Sequence, residues 1–255
     1  MADAVIDAMA VEKRFHPRAA LWGRSLPAIP AVDGVTCRLL PGERFGIVGE
    51  SGCGKTTLAK IMVGLLPPTR GEVRRSGRIQ YVFQNPMNSL NPRMTVRETV
   101  GEGLVIHRLA RGVALRRRVA ELLEAVKLPA SFAARYPRQL SGGERQRVGI
   151  ARALSVEPDA VICDEPIASL DVSVGAQIID LLRDLSQRRT MALLFISHDV
   201  RAVASLCERI AVMRRGRFVE VGPTELITTQ PQQAYTQLLL RSAALDLDAD
   251  NADHR

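Results

Sequence analysis

Gly49-Glu50-Ser51-Gly52-Cys53-Gly54-Lys55-Thr56 is the stretch on which the reading of this chain turns. Glycines at this spacing let the backbone curl so that successive N–H groups point at phosphate oxygens. A helix that starts at the end of the loop adds its positive N-terminal end. Lys55 is then able to bridge β- and γ-phosphates, and the Thr56 hydroxyl to ligate Mg²⁺. The flanks meet the requirement of such a loop: Arg44–Val48 is a short apolar strand running into it, and Lys55–Leu66 reads as a helix stopped by Pro67-Pro68. The bland alternative is a glycine turn before a helix.

Upstream, Val5–Phe15 reads as a strand, residues 16–30 (with the only tryptophan, Trp22) as a surface loop, and Ala31–Leu40 as an alternating strand ending at Pro41-Gly42. Downstream, Arg78–Phe83 is a strand that ends at Gln84. Thr95–Leu128 is helical with a break near Arg111-Gly112, and a further helix runs from after Ser141-Gly142-Gly143 to about Ser155. Then follow strand Ala160–Asp164, helix Val174–Arg188, strand Met191–Ser197 and helix Val200–Cys207. Ile210–Met213 and Arg217–Val221 form a hairpin turning on Arg215-Gly216. A short amphipathic helix is expected after Gln230, then an acidic tail with Asp246, Asp248 and Asp250. Strands alternating with helices indicate an α/β fold with a mostly parallel sheet, an antiparallel β element and a helical insertion. The partition expected is one domain over 1–240, with a core of 1–86 and 156–240, a helical subdomain of 87–155, and a tail of 241–255.

The 255 residues are 46% hydrophobic and 24% charged, which allows a sizeable core and excludes a disordered chain. The net charge of +8 favours anionic partners. The positives are almost all arginine, including the group Arg116–Arg118, and aromatics are only 4%, so the basic-aromatic pattern of a nucleic-acid surface is missing. Cys37, Cys53, Cys163 and Cys207 have no metal-ligand spacing and imply a reducing compartment. No signal-peptide pattern opens the chain, and the longest apolar stretches, such as Met191–Ile196, fall far short of a membrane span. A soluble chain is expected, attached to a membrane only through a partner.

Asp164-Glu165 ends the apolar run Ala160-Val161-Ile162-Cys163, and a buried strand that delivers two carboxylates at its C-terminal end places them where ligands bind in such sheets. Asp164 suits a Mg²⁺ shell, directly or through water, and Glu165 a general base polarising the attacking water. Gln84 by itself is a turn residue, and His198 a residue at a helix start. Ser141-Gly142-Gly143 opening a helix is an N-cap, but the same geometry makes an anion site from a hydroxyl, free N–H groups and a helix dipole.

The phosphate loop, Leu140-Ser141-Gly142-Gly143-Glu144-Arg145-Gln146-Arg147, Ile162–Pro166 and Ser169-Leu170-Asp171 stand in an order that resembles the ATP-binding cassette (ABC) ATPases. The resemblance covers nearly the whole chain. It implies a P-loop NTPase (RecA-like) core that binds ATP and Mg²⁺. Phe15 would stack on adenine; Gly49, Glu50, Ser51, Gly52, Cys53, Gly54, Lys55, Thr56 and Thr57 would hold the phosphates. Thr56, Gln84 and Asp164 would serve the metal, and Glu165, His198, Gln84 and Lys55 the hydrolysis. Ser141, Gly142 and Gly143 would complete a partner subunit's site, with Asp171 communicating across a head-to-tail dimer. Where the family has Thr-Ser-Ala-Leu-Asp, this chain has Ile167-Ala168-Ser169-Leu170-Asp171, which puts fine contacts of that interface in question.

A narrower resemblance rests on Ala31–Val35, Phe83-Gln84-Asn85-Pro86, Ser89–Arg93 and Tyr235-Thr236-Gln237-Leu238-Leu239. It is to ATPase subunits of di-/oligopeptide and nickel importers, with Gln233-Ala234 where His-Pro is usual. It implies permease subunits docked near Gln84–Thr99, a second ATPase subunit (identical or related), an extracytoplasmic solute-binding protein acting indirectly, and a peripheral position on the cytoplasmic face of the inner membrane. No nucleic acid is expected. The alternative is a soluble ABC-type ATPase acting on nucleic acid or ribosomes, which typically carries a second cassette, a coiled-coil arm or zinc modules.

Overall fold

The computed structural model describes residues 3–15, 28–84 and 89–252. The expected loop around Trp22 and the Asn85-Pro86 pair lie outside them. The chain divides into two compact units, Met1–Ser76 with Leu194–Arg255, and Gly77–Leu193.

In the first unit, β1 (Ile6–Phe15) lies between β2 (Ile29–Leu39) and β4 (Arg70–Arg75) in an antiparallel sheet, with Ile6 opposite both Leu39 and Arg75. The register shifts where Ala10 takes φ +46°, a bulge that leaves its N–H to donate to Thr36 Oγ1 at 2.9 Å. β4 has no apolar alternation, which is why the sequence does not announce it; its side chains are exposed apart from half-buried Val73. A second set of strands carries the parallel pair β3 (Arg44–Val48) and β8 (Arg209–Arg214), with β9 (Arg217–Pro223) antiparallel to β8. The hairpin turns where expected, with Arg215 and Gly216 both at positive φ, the twist that suits a two-residue connection.

Helix α1 (Lys55–Val63) buries Leu58, Ala59, Ile61 and Met62 and ends before the expected Leu66, because Gly64 takes φ +92° and closes the last turn onto the Ile61 carbonyl.

The second unit pairs β5 (Ile79–Val82) in parallel with β6 (Ala160–Asp164). The helical block resolves into α2 (Val96–Ile106), α3 (Gly112–Ala125) and α4 (Gly142–Leu154), and the break expected near Arg111-Gly112 spans residues 107–111. Thr95 and Glu98 form a capping box at α2. Gly103 lets α2 approach closely: a Cβ there would lie 2.7 Å from Ser155 Oγ. Helix α5 (Val172–Arg189) follows β6.

Strand β7 (Ala192–Ser197) precedes α6 (Val200–Leu206), which packs on β3 so tightly that a Cβ on Gly46 would meet Val203 Cγ1 at 2.1 Å. Two C-terminal features differ from expectation. Thr224–Thr229 forms a short helix, α7, and the final helix, α8, runs from Ala234 to Ala252, through the aspartates read as a tail. Leucine and alanine around those aspartates keep helix propensity high enough to extend it. Among the described residues no helix is long and apolar enough to cross a membrane.

Candidate functional site

The phosphate loop is a backbone construction. Gly49, Gly52 and Gly54 take φ values of +153°, +78° and +113°. A Cβ on Gly49 would meet the Met213 carbonyl oxygen at 2.2 Å, and one on Gly54 the Ala31 carbonyl oxygen at 2.1 Å. Both carbonyls belong to the strands that enclose the loop, so these two glycines are demanded by space as well as by conformation. The hairpin turn adds a strut: the Gly216 N–H donates to the Cys53 carbonyl at 2.8 Å.

Lys55 is only 5% exposed, and its Nζ donates to the carbonyls of Gly49 at 2.7 Å and Glu50 at 3.0 Å. A buried ammonium held by carbonyl dipoles in a loop of this shape is a cation poised for a stronger anionic partner. Gly54, at the N-cap of α1, supplies no side-chain cap, which leaves the helix N-terminus in the arrangement that suits an anion. Thr56 and Thr57 stand in that first turn, half-buried. The Cys53 thiol sits 4.0 Å from Lys55 Nζ, and burial pushes its pKa up, so it packs rather than reacts.

The carboxylates end a fully buried strand. Asp164 is 2% exposed, and Tyr81 Oη donates to its Oδ2 at 2.6 Å. Burial, then the neighbouring Asp164 charge, push the Tyr81 hydroxyl pKa up, so it stays a donor. Sequence reasoning missed Tyr81; the signal was a phenol beside Val82 in a short strand, since a buried tyrosine hydroxyl needs a partner. Glu165, also buried, takes φ +48°. That left-handed conformation costs a non-glycine residue about 1–3 kcal/mol and turns the chain sharply off the strand, which aims Glu165 separately from Asp164. Asp164, the Thr56 hydroxyl and the Gln84 amide are all hard oxygen donors, the chemistry that suits Mg²⁺.

Ser141 caps α4: its Oγ accepts from the Glu144 N–H at 3.3 Å, and Glu144 Oε2 accepts from the Ser141 N–H at 2.7 Å. The two glycines after it admit close neighbours. A Cβ on Gly142 would lie 3.2 Å from Leu170 Cδ2, and one on Gly143 would lie 2.4 Å from Val174 Cγ1. The start of α4 and the Leu170-Asp171 segment are therefore brought together, with Asp171 exposed at the N-terminus of α5. The departure at Ile167–Ser169 forms a turn in which the Leu170 N–H donates to the Ile167 carbonyl at 3.0 Å.

Gln84, just past β5, and His198, just past β7, are both exposed. The helix-start role is filled by Asp199, whose Oδ1 accepts from the amides of Arg201 and Ala202, so capping does not account for His198. Phe15 is 44% exposed at the end of β1, with Lys13 Nζ 5.5 Å from its ring centroid; an open aromatic face of this kind can stack on a base.

The ABC transporter family profile matches residues 32–168. The chain is 45% identical to a putative oligopeptide transport ATP-binding protein, YkfD, of Bacillus subtilis, over 84% of this chain and 70% of that protein. It is 41% identical to the oligopeptide transport ATP-binding protein AppF of the same organism, over 94% and 78%. A putative peptide import ATP-binding protein of Brucella ovis is 42% identical, over 88% and 75%. Among solved structures, the dimeric post-hydrolysis state of the cassette MJ0796 bound to ADP and Pi aligns with a TM-score of 0.74. It is 29% identical and covers 86% of this chain and 98% of that one.

Proposed function

We propose, from the premise that this chain belongs to the ABC transporter family, that it is the ATP-hydrolysing subunit of a membrane importer for di-/oligopeptides or a related solute such as nickel. The observation that carries the reading is the buried Lys55 ammonium, held by the carbonyls of a glycine loop that opens an uncapped helix. The relatives named as peptide transport and import proteins support the solute class.

In this reading Lys55 leaves the Gly49 and Glu50 carbonyls for the β- and γ-phosphates, and the amides from Ser51 to Thr57, through the loop and into the first turn of α1, hold the rest of the triphosphate. Phe15 stacks on adenine. Thr56, Gln84 and Asp164 would hold Mg²⁺, which would supply charge neutralisation to the phosphates. Glu165 orients and polarises the attacking water, and His198 grips the γ-phosphate. Ser141, Gly142, Gly143 and Asp171 act on the site of a second cassette, so that ATP closes a dimer and hydrolysis reopens it. The working partition keeps the core at 1–86 and 156–240 and the helical subdomain at 87–155. Permease subunits dock near Gln84–Thr99 at the cytoplasmic face of the inner membrane, and a solute-binding protein acts through them. No feature of the described residues favours the nucleic-acid alternative.

The test is ATP hydrolysis and ATP-dependent dimerisation of the purified chain against Glu165→Gln. Lost turnover with an accumulating ATP-bound dimer is the expected result. Unchanged turnover in the variant would remove Glu165 from the mechanism.

A further inference from the structure

The Tyr235–Leu239 stretch is left without a role by the hydrolytic reading, yet its first residue reaches the phosphate loop. Tyr235 stands in the first turn of α8, 6% exposed, and its Oη accepts from the Glu50 N–H at 3.3 Å. Its ring lies beneath the Arg214 guanidinium, whose carbon is 4.6 Å from the ring centroid. Arg214 ends β8 and leads into the turn whose Gly216 N–H holds the Cys53 carbonyl, so the ring is anchored to the same hairpin that braces the loop.

The Glu50 residue is thereby gripped on both sides: its N–H by the tyrosine and its carbonyl by Lys55 Nζ at 3.0 Å. The two grips differ in one respect. Lys55 is the group that must turn to the phosphates when nucleotide binds, whereas Tyr235 has no such duty. Packing alone would be served by phenylalanine; the hydroxyl is what reaches the loop.

We propose that Tyr235 is a positioning residue for the phosphate loop, holding the Glu50 peptide in place while Lys55 exchanges its carbonyl partners for phosphate, so that the C-terminal helix sets the affinity for ATP. This rests on the reading that the loop binds ATP. Tyr235 touches neither nucleotide nor the reacting atoms, and acts through the loop backbone.

The test compares the wild-type chain, Tyr235→Phe and Leu238→Ala, using trinitrophenyl-ATP binding, steady-state ATPase kinetics and amide hydrogen exchange at Glu50. Tyr235→Phe keeps the ring and its contact with Arg214. Loss of one net hydrogen bond is expected to weaken nucleotide binding roughly three- to tenfold and to raise KM by the same factor, leaving kcat within about twofold. Exchange at the Glu50 amide is expected to speed up in parallel. Leu238, 61% exposed on the same helix, is the control and is expected to bind as wild type.

Equal binding by wild type and Tyr235→Phe overturns the proposal, and so does an equal loss in Leu238→Ala, which would mean general loosening of the helix. Should Tyr235→Phe fail to fold, the wild-type chain still decides: a Glu50 amide exchanging at the rate of an open loop overturns the clamp. A wild-type chain that binds no trinitrophenyl-ATP would instead overturn the functional reading, and this inference with it.

Discussion

The phosphate loop and the strand end bearing Asp164 and Glu165 both present polar chemistry from buried positions, but they are built by different means. In the loop the backbone does the holding. Gly49 and Gly54 have no space for a Cβ, the Cys53 carbonyl is tied to the hairpin, and the lysine is parked on loop carbonyls. At the strand end side chains do it: a phenol from the adjacent strand takes one oxygen of Asp164, and Glu165 occupies a backbone conformation that its own side chain disfavours. The loop resembles a mould whose shape is written into residue type. The strand end depends on partners remote in sequence, since Tyr81 and Asp164 meet only because β5 and β6 pair in the register that sets Tyr81 opposite Ile162.

That difference can be broken experimentally. The largest effect is expected from Glu165→Gln, which keeps shape and removes the proposed base. Single-turnover hydrolysis should fall by about 10²- to 10⁴-fold while ATP binding persists. A drop in binding of the same size would mean that Glu165 serves the fold instead.

Next come the glycines. Gly54→Ala drives a methyl into the Ala31 carbonyl and should lower stability by roughly 3 kcal/mol or more in chemical denaturation. Gly52→Ala, at φ +78° but with nothing near its Cβ, should cost only about 1–2 kcal/mol. Equal losses would show that conformation alone, and not the enclosing carbonyls, shapes the loop.

Tyr81→Phe sharpens the other side. Removing a hydroxyl that donates to a buried carboxylate should cost about 1.5–3 kcal/mol of stability. The same variant should shift the Mg²⁺ concentration needed for half-maximal ATP binding, while Mg²⁺-free binding stays unchanged. An unaltered Mg²⁺ dependence would reduce Tyr81 to a stabilising contact.

The smallest effect concerns the thiols. All four cysteines are buried thiols outside any disulfide. Burial pushes Cys37 up to about 12, leaving roughly one thiolate in ten thousand at pH 8. Iodoacetamide at that pH should leave Cys37 unmodified in the native chain and label it on unfolding.

Much of this was legible in advance where a requirement is local. The loop glycines, the turn at Arg215-Gly216, the break near Arg111-Gly112 and the apolar strand Ala160–Asp164 declare themselves because each depends on the residues that form it. β4 did not, because its stability comes from pairing with β1 and not from an apolar face of its own. Helix α1 ends three residues short of the expected Leu66, because Gly64 reverses the chain before Pro67-Pro68 is reached.

Sequence alone determined the chemistry available to this protein: a loop that only glycine permits, a lysine within it, and two carboxylates delivered by a strand too apolar to lie anywhere but inside. Tertiary structure decided how those groups are restrained. Burial removes water as a partner, so each phenol, carboxylate and ammonium must find another, and which one is near is a property of strand register and hairpin closure. That is why Tyr81 stands on Asp164 and Tyr235 on Glu50.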